Sequence, residues 1–198
     1  MDITRVSFGG INNTGSTVSL LGSIGTATGT AGLYSNFYNA ATNPSVQQGS
    51  TNTLIVRIDG TAYSHAVYLF IDFNQDGDLT DAGEKFTVFP YANPTLPNAT
   101  TVSIPIPLTA TIGTTLMRVL CVESSTFSNP CGTYTWGETE DYKLTITAAP
   151  PCVGSPSAGT AAASSPQGSH GHPESARHCR QRPAALARRP PGACAHGG

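Results

Sequence analysis

Leu54-Ile55-Val56-Arg57-Ile58 places Leu54, Val56 and Ile58 on one face of an extended chain and Arg57 on the other. Tyr142-Lys143-Leu144-Thr145-Ile146 repeats the pattern, with Lys143 and Thr145 turned away from Tyr142, Leu144 and Ile146. A period of two is a strand period, and each stretch predicts a β-strand with one face on a core. Further short apolar runs lie between turn signals: Ile3 to Phe8, Val18 to Ile24, Leu33 to Phe37, Ala66 to Ile71, Phe86 to Phe89, Val102 to Ile106 and Leu116 to Val122. That makes about nine candidate strands, and no window offers a capped amphipathic helix. The expected architecture is all-β: two antiparallel sheets packed as a jelly-roll or immunoglobulin-like β-sandwich. Pro105 and Pro107 cannot donate ladder hydrogen bonds, so the run from Val102 belongs at a sheet edge.

The sandwich should end near residue 149. All 15 aromatic residues of the 198-residue chain precede Lys143, whereas residues 151–198 have one Val, one Leu and no Ile. Such a segment cannot bury a core. We therefore expect a domain over 1–149 and, over 150–198, a linker and a low-complexity Pro/Ala/Arg/Gly tail. From about Ser165 the residue vocabulary changes abruptly enough to suggest a misread gene end; a tail docked on a neighbouring subunit is the alternative.

Charge excludes some functions. Residues 1–149 carry eleven acids against five bases, so their net charge is −6, while the five arginines of 151–198 against Glu174 give +4. An acidic body is a poor partner for phosphate and therefore for nucleic acid, and a better one for cations. No apolar run approaches the ~20 residues of a membrane span. Met1 is followed by Asp2 rather than a basic and then apolar leader, as expected of a mature, trimmed or internal chain.

The strongest chemical signal follows the run ending at Ile71. It reads Asp72-Phe73-Asn74-Gln75-Asp76-Gly77-Asp78-Leu79-Thr80-Asp81-Ala82-Gly83-Glu84. Asp72, Asn74, Asp76 and Asp78 alternate, so a tightly wound loop can turn their oxygens inward, and Gly77 stands where a calcium loop bends sharply. Hard oxygens at this density suit Ca²⁺ better than zinc or copper. Unlike an EF-hand, the loop follows a strand and Glu84 comes one position late, so Asp81 or Glu84 must close the shell. The competing reading is a solvated Asx turn. Carboxylates this close repel by about a kcal/mol per pair even in water, which a cation relieves.

A second acidic cluster, Gly137-Glu138-Thr139-Glu140-Asp141-Tyr142, precedes the last strand. It could join the calcium shell, supply a carboxylate pair for acid–base chemistry, or be a solvated strand entrance. Glu138, Glu140 and Asp141 are the only acceptable catalytic candidates, since His65 is the body's one histidine and no nucleophile elbow or P-loop is present.

Trp136-Gly137-Glu138-Thr139-Glu140-Asp141-Tyr142, the acidic loop with Asp81-Ala82-Gly83-Glu84-Lys85, and Tyr34-Ser35-Asn36-Phe37 upstream together resemble the GEVED domain, over about residues 2–147. Thr139 stands where the family's name has Val. The resemblance implies a β-sandwich module of a large secreted or surface protein of bacteria, and says little about activity.

Of five cysteines, Cys121 and Cys131 lie in the body ten residues apart, and an extracellular chain is expected to join them in a disulfide worth ~2–3 kcal/mol. Partners for Cys152, Cys179 and Cys194 are not readable. Asn12 and Asn98 begin formal glycosylation sequons, and the Thr-rich stretches 26–30 and 109–115 could carry O-linked sugars. Tyr34, Tyr38, Tyr63, Tyr91, Tyr134 and Trp136 could form a sugar platform, although most belong to core or rim.

These residues point first to a non-catalytic, calcium-stabilised structural or adhesion module, extracellular or at a cell surface. It could self-assemble head to tail into a fibre if Asp2 to Phe8 adds to a neighbour's sheet. A carbohydrate-binding accessory module beside a secreted enzyme is the alternative, and an enzyme ranks third.

Overall fold

The computed structural model describes residues 2–14, 32–59, 63–95 and 97–151. The run Val18 to Ile24, the 26–30 stretch, Cys152, Cys179, Cys194 and the tail lie outside them.

Ten strands and no helix make up the described residues. β1 (Asp2–Phe8), β2 (Ile11–Asn13), β5 (Thr51–Asp59) and β8 (Asn98–Pro105) form a four-stranded sheet in the order β2-β1-β5-β8. β3 (Gly32–Asn36), β10 (Gly137–Thr147), β9 (Gly113–Glu123), β6 (His65–Ile71) and β7 (Lys85–Ala92) form the second in that order, and β4 (Ser45–Gln47) also pairs with β10. The fold is an all-β sandwich. Two details depart from the simple antiparallel expectation: β3 and β4 run parallel to β10, and the three-residue strands β2 and β4 are too short to show a period.

The alternating strands bury one face each. Leu54, Val56 and Ile58 meet Ile3, Val6 and Phe8 of β1 and Tyr142, Leu144 and Ile146 of β10 in the main core. Ala66 to Ile71 and Leu116 to Val122 do not alternate because both faces of the second sheet are covered there. Val67, Leu69, Ile71, Met117 and Val119 face the four-stranded sheet. Tyr68, Phe70, Leu116 and Leu120 pack instead with Leu79 of the acidic loop and Tyr134 of the β9–β10 connection. Each such buried side chain contributes roughly 1.5–3 kcal/mol, so these two connections are held by apolar anchors.

β8 is an edge strand, as expected of a run that ends in Pro105 and is followed by Pro107. Asp2–Phe8 pairs on one side with β2 and on the other with β5. It is no spare strand, and assembly through it would require exchange with a neighbour's equivalent.

The candidate metal loop and the buried acidic strand

The loop leaves β6 at Ile71, runs 72–84 and rejoins the sheet at β7, closed by the Ile71 N–H donating to the Glu84 carbonyl at 3.0 Å. Its first turn is built by Asp72, whose Oδ1 accepts from the Gln75 N–H at 2.6 Å and whose Oδ2 accepts from that of Gly77 at 3.3 Å. Gly77 has φ +95°, a conformation that costs glycine little. Asp76 Oδ1 then accepts from the Asp78 N–H at 3.1 Å, and Asp78 Oδ1 from the Thr80 N–H and hydroxyl at 2.8 and 2.9 Å. Each acid thus winds the residues after it. The Thr80 donors hold the Asp78 carboxyl below its usual range.

Of the six expected ligands, Asp76, Asp78 and Asp81 converge: one carboxylate oxygen of each lies within 4.8 Å of the others. Two oxygens on one Ca²⁺, each at ~2.3–2.6 Å, are at most ~5 Å apart, so the triad fits inside one coordination shell. Asn74 Nδ2 bridges Asp76 Oδ2 and Asp81 Oδ2, placing partial positive charge between the carboxylates. Asp72 and Glu84 are buried and tied to the backbone. Glu84 Oε1 accepts from the Phe73 N–H at 2.8 Å, while Oε2 is buried without a hydrogen-bond partner. Burial raises both carboxyl groups above their ordinary pKa, for Glu84 with the added charge of Asp72.

The loop is braced from the β8–β9 connection and the start of β9. Thr111 donates its N–H to the Phe73 carbonyl at 2.7 Å and its hydroxyl to that of Asn74 at 3.1 Å, and Thr115 donates to the Asp72 carbonyl at 2.6 Å.

The acidic strand start is not a solvated entrance. Glu138 and Glu140 are fully buried and Asp141 nearly so. Glu138 Oε2 accepts from the Ile3 N–H at 2.6 Å, and Oε1 from the Ser35 hydroxyl at 3.0 Å. The Tyr142 hydroxyl donates to Glu140 Oε2 at 2.6 Å and accepts from Asn13 Nδ2 at 2.9 Å. Both chains of contacts run from β10 to the opposite sheet, through β1 and β2. On the other face of β10, Asp141 receives Arg118 Nε and Nη2, each at 2.6 Å, and the Tyr34 hydroxyl at 2.8 Å. Burial alone would lower the Arg118 pKa, but the hydrogen bonds and charge of Asp141 outweigh it and raise it. Burial and then the Asp141 charge push the Tyr34 phenol up.

Arg118 is not among the residues singled out from the sequence, and Tyr34 and Ser35 enter there through the family motif and the sugar-platform candidates rather than as partners of the acidic strand. A signal existed: Arg118 is the one charge inside the apolar run Leu116 to Val122, and a charge there needs a buried partner.

The expected Cys121–Cys131 disulfide does not form. Cys121 is free and fully buried, facing the main core. Cys131 is itself disulfide-bonded, and Cys121 is not its partner. The reason is strand parity: Val119, Cys121 and Met117 share the inward face, whereas the connection carrying Cys131 covers the outward one. Asn12 is exposed on β2 and receives Arg5 Nε at 2.8 Å, and Asn98 is half-buried at the start of β8.

The GEVED domain family matches residues 66–145. No curated protein matches the chain. Among solved structures, a cellulose-active polysaccharide monooxygenase from M. thermophila aligns with TM-score 0.36 and 12% identity, over 74% of this chain and 78% of that one. The matched residues hold the acidic loop and the buried acidic strand start together, and over them the chain is similar to the GEVED domain.

Proposed function

We propose that this chain is a non-catalytic, calcium-stabilised structural or adhesion module of a secreted or surface protein of bacteria. The observation that carries the reading is the convergence of Asp76, Asp78 and Asp81 within 4.8 Å beside Asn74, in a loop whose buried Glu84 keeps an unpartnered oxygen. Oxygen-only donors from one wound segment suit a hard cation. When bound, the ion supplies charge neutralisation and cross-linking of the loop. The residues around it do the rest: Leu79 anchors the loop in the second core, Thr111 ties it to the β8–β9 connection and Thr115 ties it to β9. Stabilisation of the fold is the consequence, because a ligand that binds only the folded state raises its stability.

The non-catalytic part of the proposal rests on the commitments of the other acids. The carboxylates of Glu138 and Asp141 each hold a partner on another strand, that of Glu140 holds the Tyr142 hydroxyl on its own strand, and all three side chains are buried.

Calorimetric titration of the chelator-treated full chain with calcium chloride, and separately magnesium chloride, tests the reading. Saturable calcium binding, weaker by about tenfold or more in Asp76→Asn and Asp81→Asn, is expected from the loss of a charged ligand. Absence of calcium binding would overturn it.

A further inference from the structure

The loop and the open end of the second sheet lie at opposite poles. β6 begins at His65 and enters the loop at Ile71, so the acidic loop occupies one end of the sheet. At the other end the register sets out a row across four strands. Ala92 of β7 pairs with His65 of β6, and His65 with Glu123 of β9. The Glu123 N–H donates to the Trp136 carbonyl at 2.9 Å, just before β10, and the Ser124 N–H to the Ser64 carbonyl at 2.7 Å.

Three exposed aromatic residues stand on this row. Tyr91 precedes Ala92, Tyr63 precedes Ser64, and Trp136 precedes β10; they are 45%, 51% and 38% exposed. The two other large exposed apolar residues among those described, Leu108 and Ile112, lie on the β8–β9 connection at the loop pole. Neighbouring strands are ~4.8 Å apart, so the row is about three such spacings wide, room for a few sugar rings in line.

The chemistry of the row selects its ligand. Each of the three rings combines an apolar face with a polar edge, a hydroxyl on Tyr63 and Tyr91 and a ring N–H on Trp136. Ser124 and Thr135, next to Glu123 and Trp136, are exposed, and Glu123 is the charged member of the row. Ser124 holds φ +55°, a conformation uncommon outside glycine. His65 Nδ1 donates to the Tyr63 carbonyl at 3.1 Å and its ring stacks on Phe89, fixing the backbone that carries Tyr63. Aromatic faces beside neutral hydroxyls match the alternating apolar faces and hydroxyl edges of pyranose rings.

We propose that this end of the second sheet binds a neutral polysaccharide chain, with Tyr63, Tyr91 and Trp136 as stacking faces. The inference is independent of the calcium reading, and its test is made with calcium present throughout. The full chain is titrated with chitin, xylan, mannan and glucan hexasaccharides by calorimetry. At least one binds; Trp136→Ala and Tyr91→Ala each weaken it about tenfold or more, Trp136→Phe largely restores it, and Leu108→Ala at the far pole leaves it unchanged. Circular dichroism confirms that each variant keeps its strands. No binding to any of the four by the folded wild-type chain would overturn the proposal, as would binding that survives replacement of all three aromatics by Ala.

Discussion

Glu138, on the last strand of one sheet, accepts a hydrogen bond of 2.6 Å from the backbone N–H of Ile3, on the first strand of the other. Both residues are fully buried, so the bond is a polar stitch through an apolar core. Its removal strands an N–H that has no water to turn to. Glu138→Ala is expected to cost about 1–3 kcal/mol for each buried group left unpaired, read as a lower urea midpoint. Glu138→Gln, which keeps an acceptor, costs less. Equal stability of Glu138→Ala and wild type would remove the stitch from the account.

Gly137 opens the same segment for a steric reason. It has φ +136°, and a Cβ there would lie 2.1 Å from the Cys121 carbonyl oxygen. Neither strain can be relieved by a flexible side chain, since the obstacle is backbone. Gly137→Ala should destabilise the fold by at least about 2 kcal/mol. Thermal unfolding checks this, and an unchanged midpoint would contradict it.

Arg118 and Asp141 form a bidentate pair buried on the outward face of β10 and β9. Breaking a buried pair is expected to cost more than replacing it. Arg118→Met alone should lose about 3–5 kcal/mol, and Arg118→Met with Asp141→Leu should regain much of that loss. A double-mutant cycle in urea measures the difference; additive losses would show that the pair is not coupled.

His65 is fully buried, and burial lowers its pKa from the ordinary 6.5, against the opposing pull of the Tyr63 carbonyl and the Glu123 charge. The neutral ring is the folded form. Its contribution is therefore complete above the unfolded value and lost as pH falls through the lower folded one. Unfolding measured from neutral to mildly acidic pH should show a decline in the wild type that is shallower in His65→Phe. Parallel curves would assign the decline to other groups.

Much of this molecule was legible in its sequence wherever one face is wet. Leu54, Val56 and Ile58 alternate with polar positions because β5 is buried on one side, and Pro105 and Pro107 marked an edge. The acidic loop announced its winding through spaced Asp and Asn side chains that bond the N–H two or three residues on. Contacts distant in sequence left weaker traces. Nothing local to Glu138 says that its partner is the N–H of Ile3, 135 positions away. Parallel pairing of β3 and β4 with β10 is likewise a property of topology. Cys121 and Cys131 looked like a pair by spacing alone, and the inward face of β9 decided otherwise.

Thermal unfolding of the full chain, in calcium and then in excess chelator, tests the central claim most directly. A cation held by Asp76, Asp78 and Asp81 in the folded state adds RT ln(1 + [L]/Kd), about 2.7 kcal/mol when calcium is present at a hundred times Kd. A midpoint several degrees lower in chelator is expected, with the drop abolished in Asp76→Asn with Asp81→Asn. Identical midpoints in calcium and in chelator would contradict it.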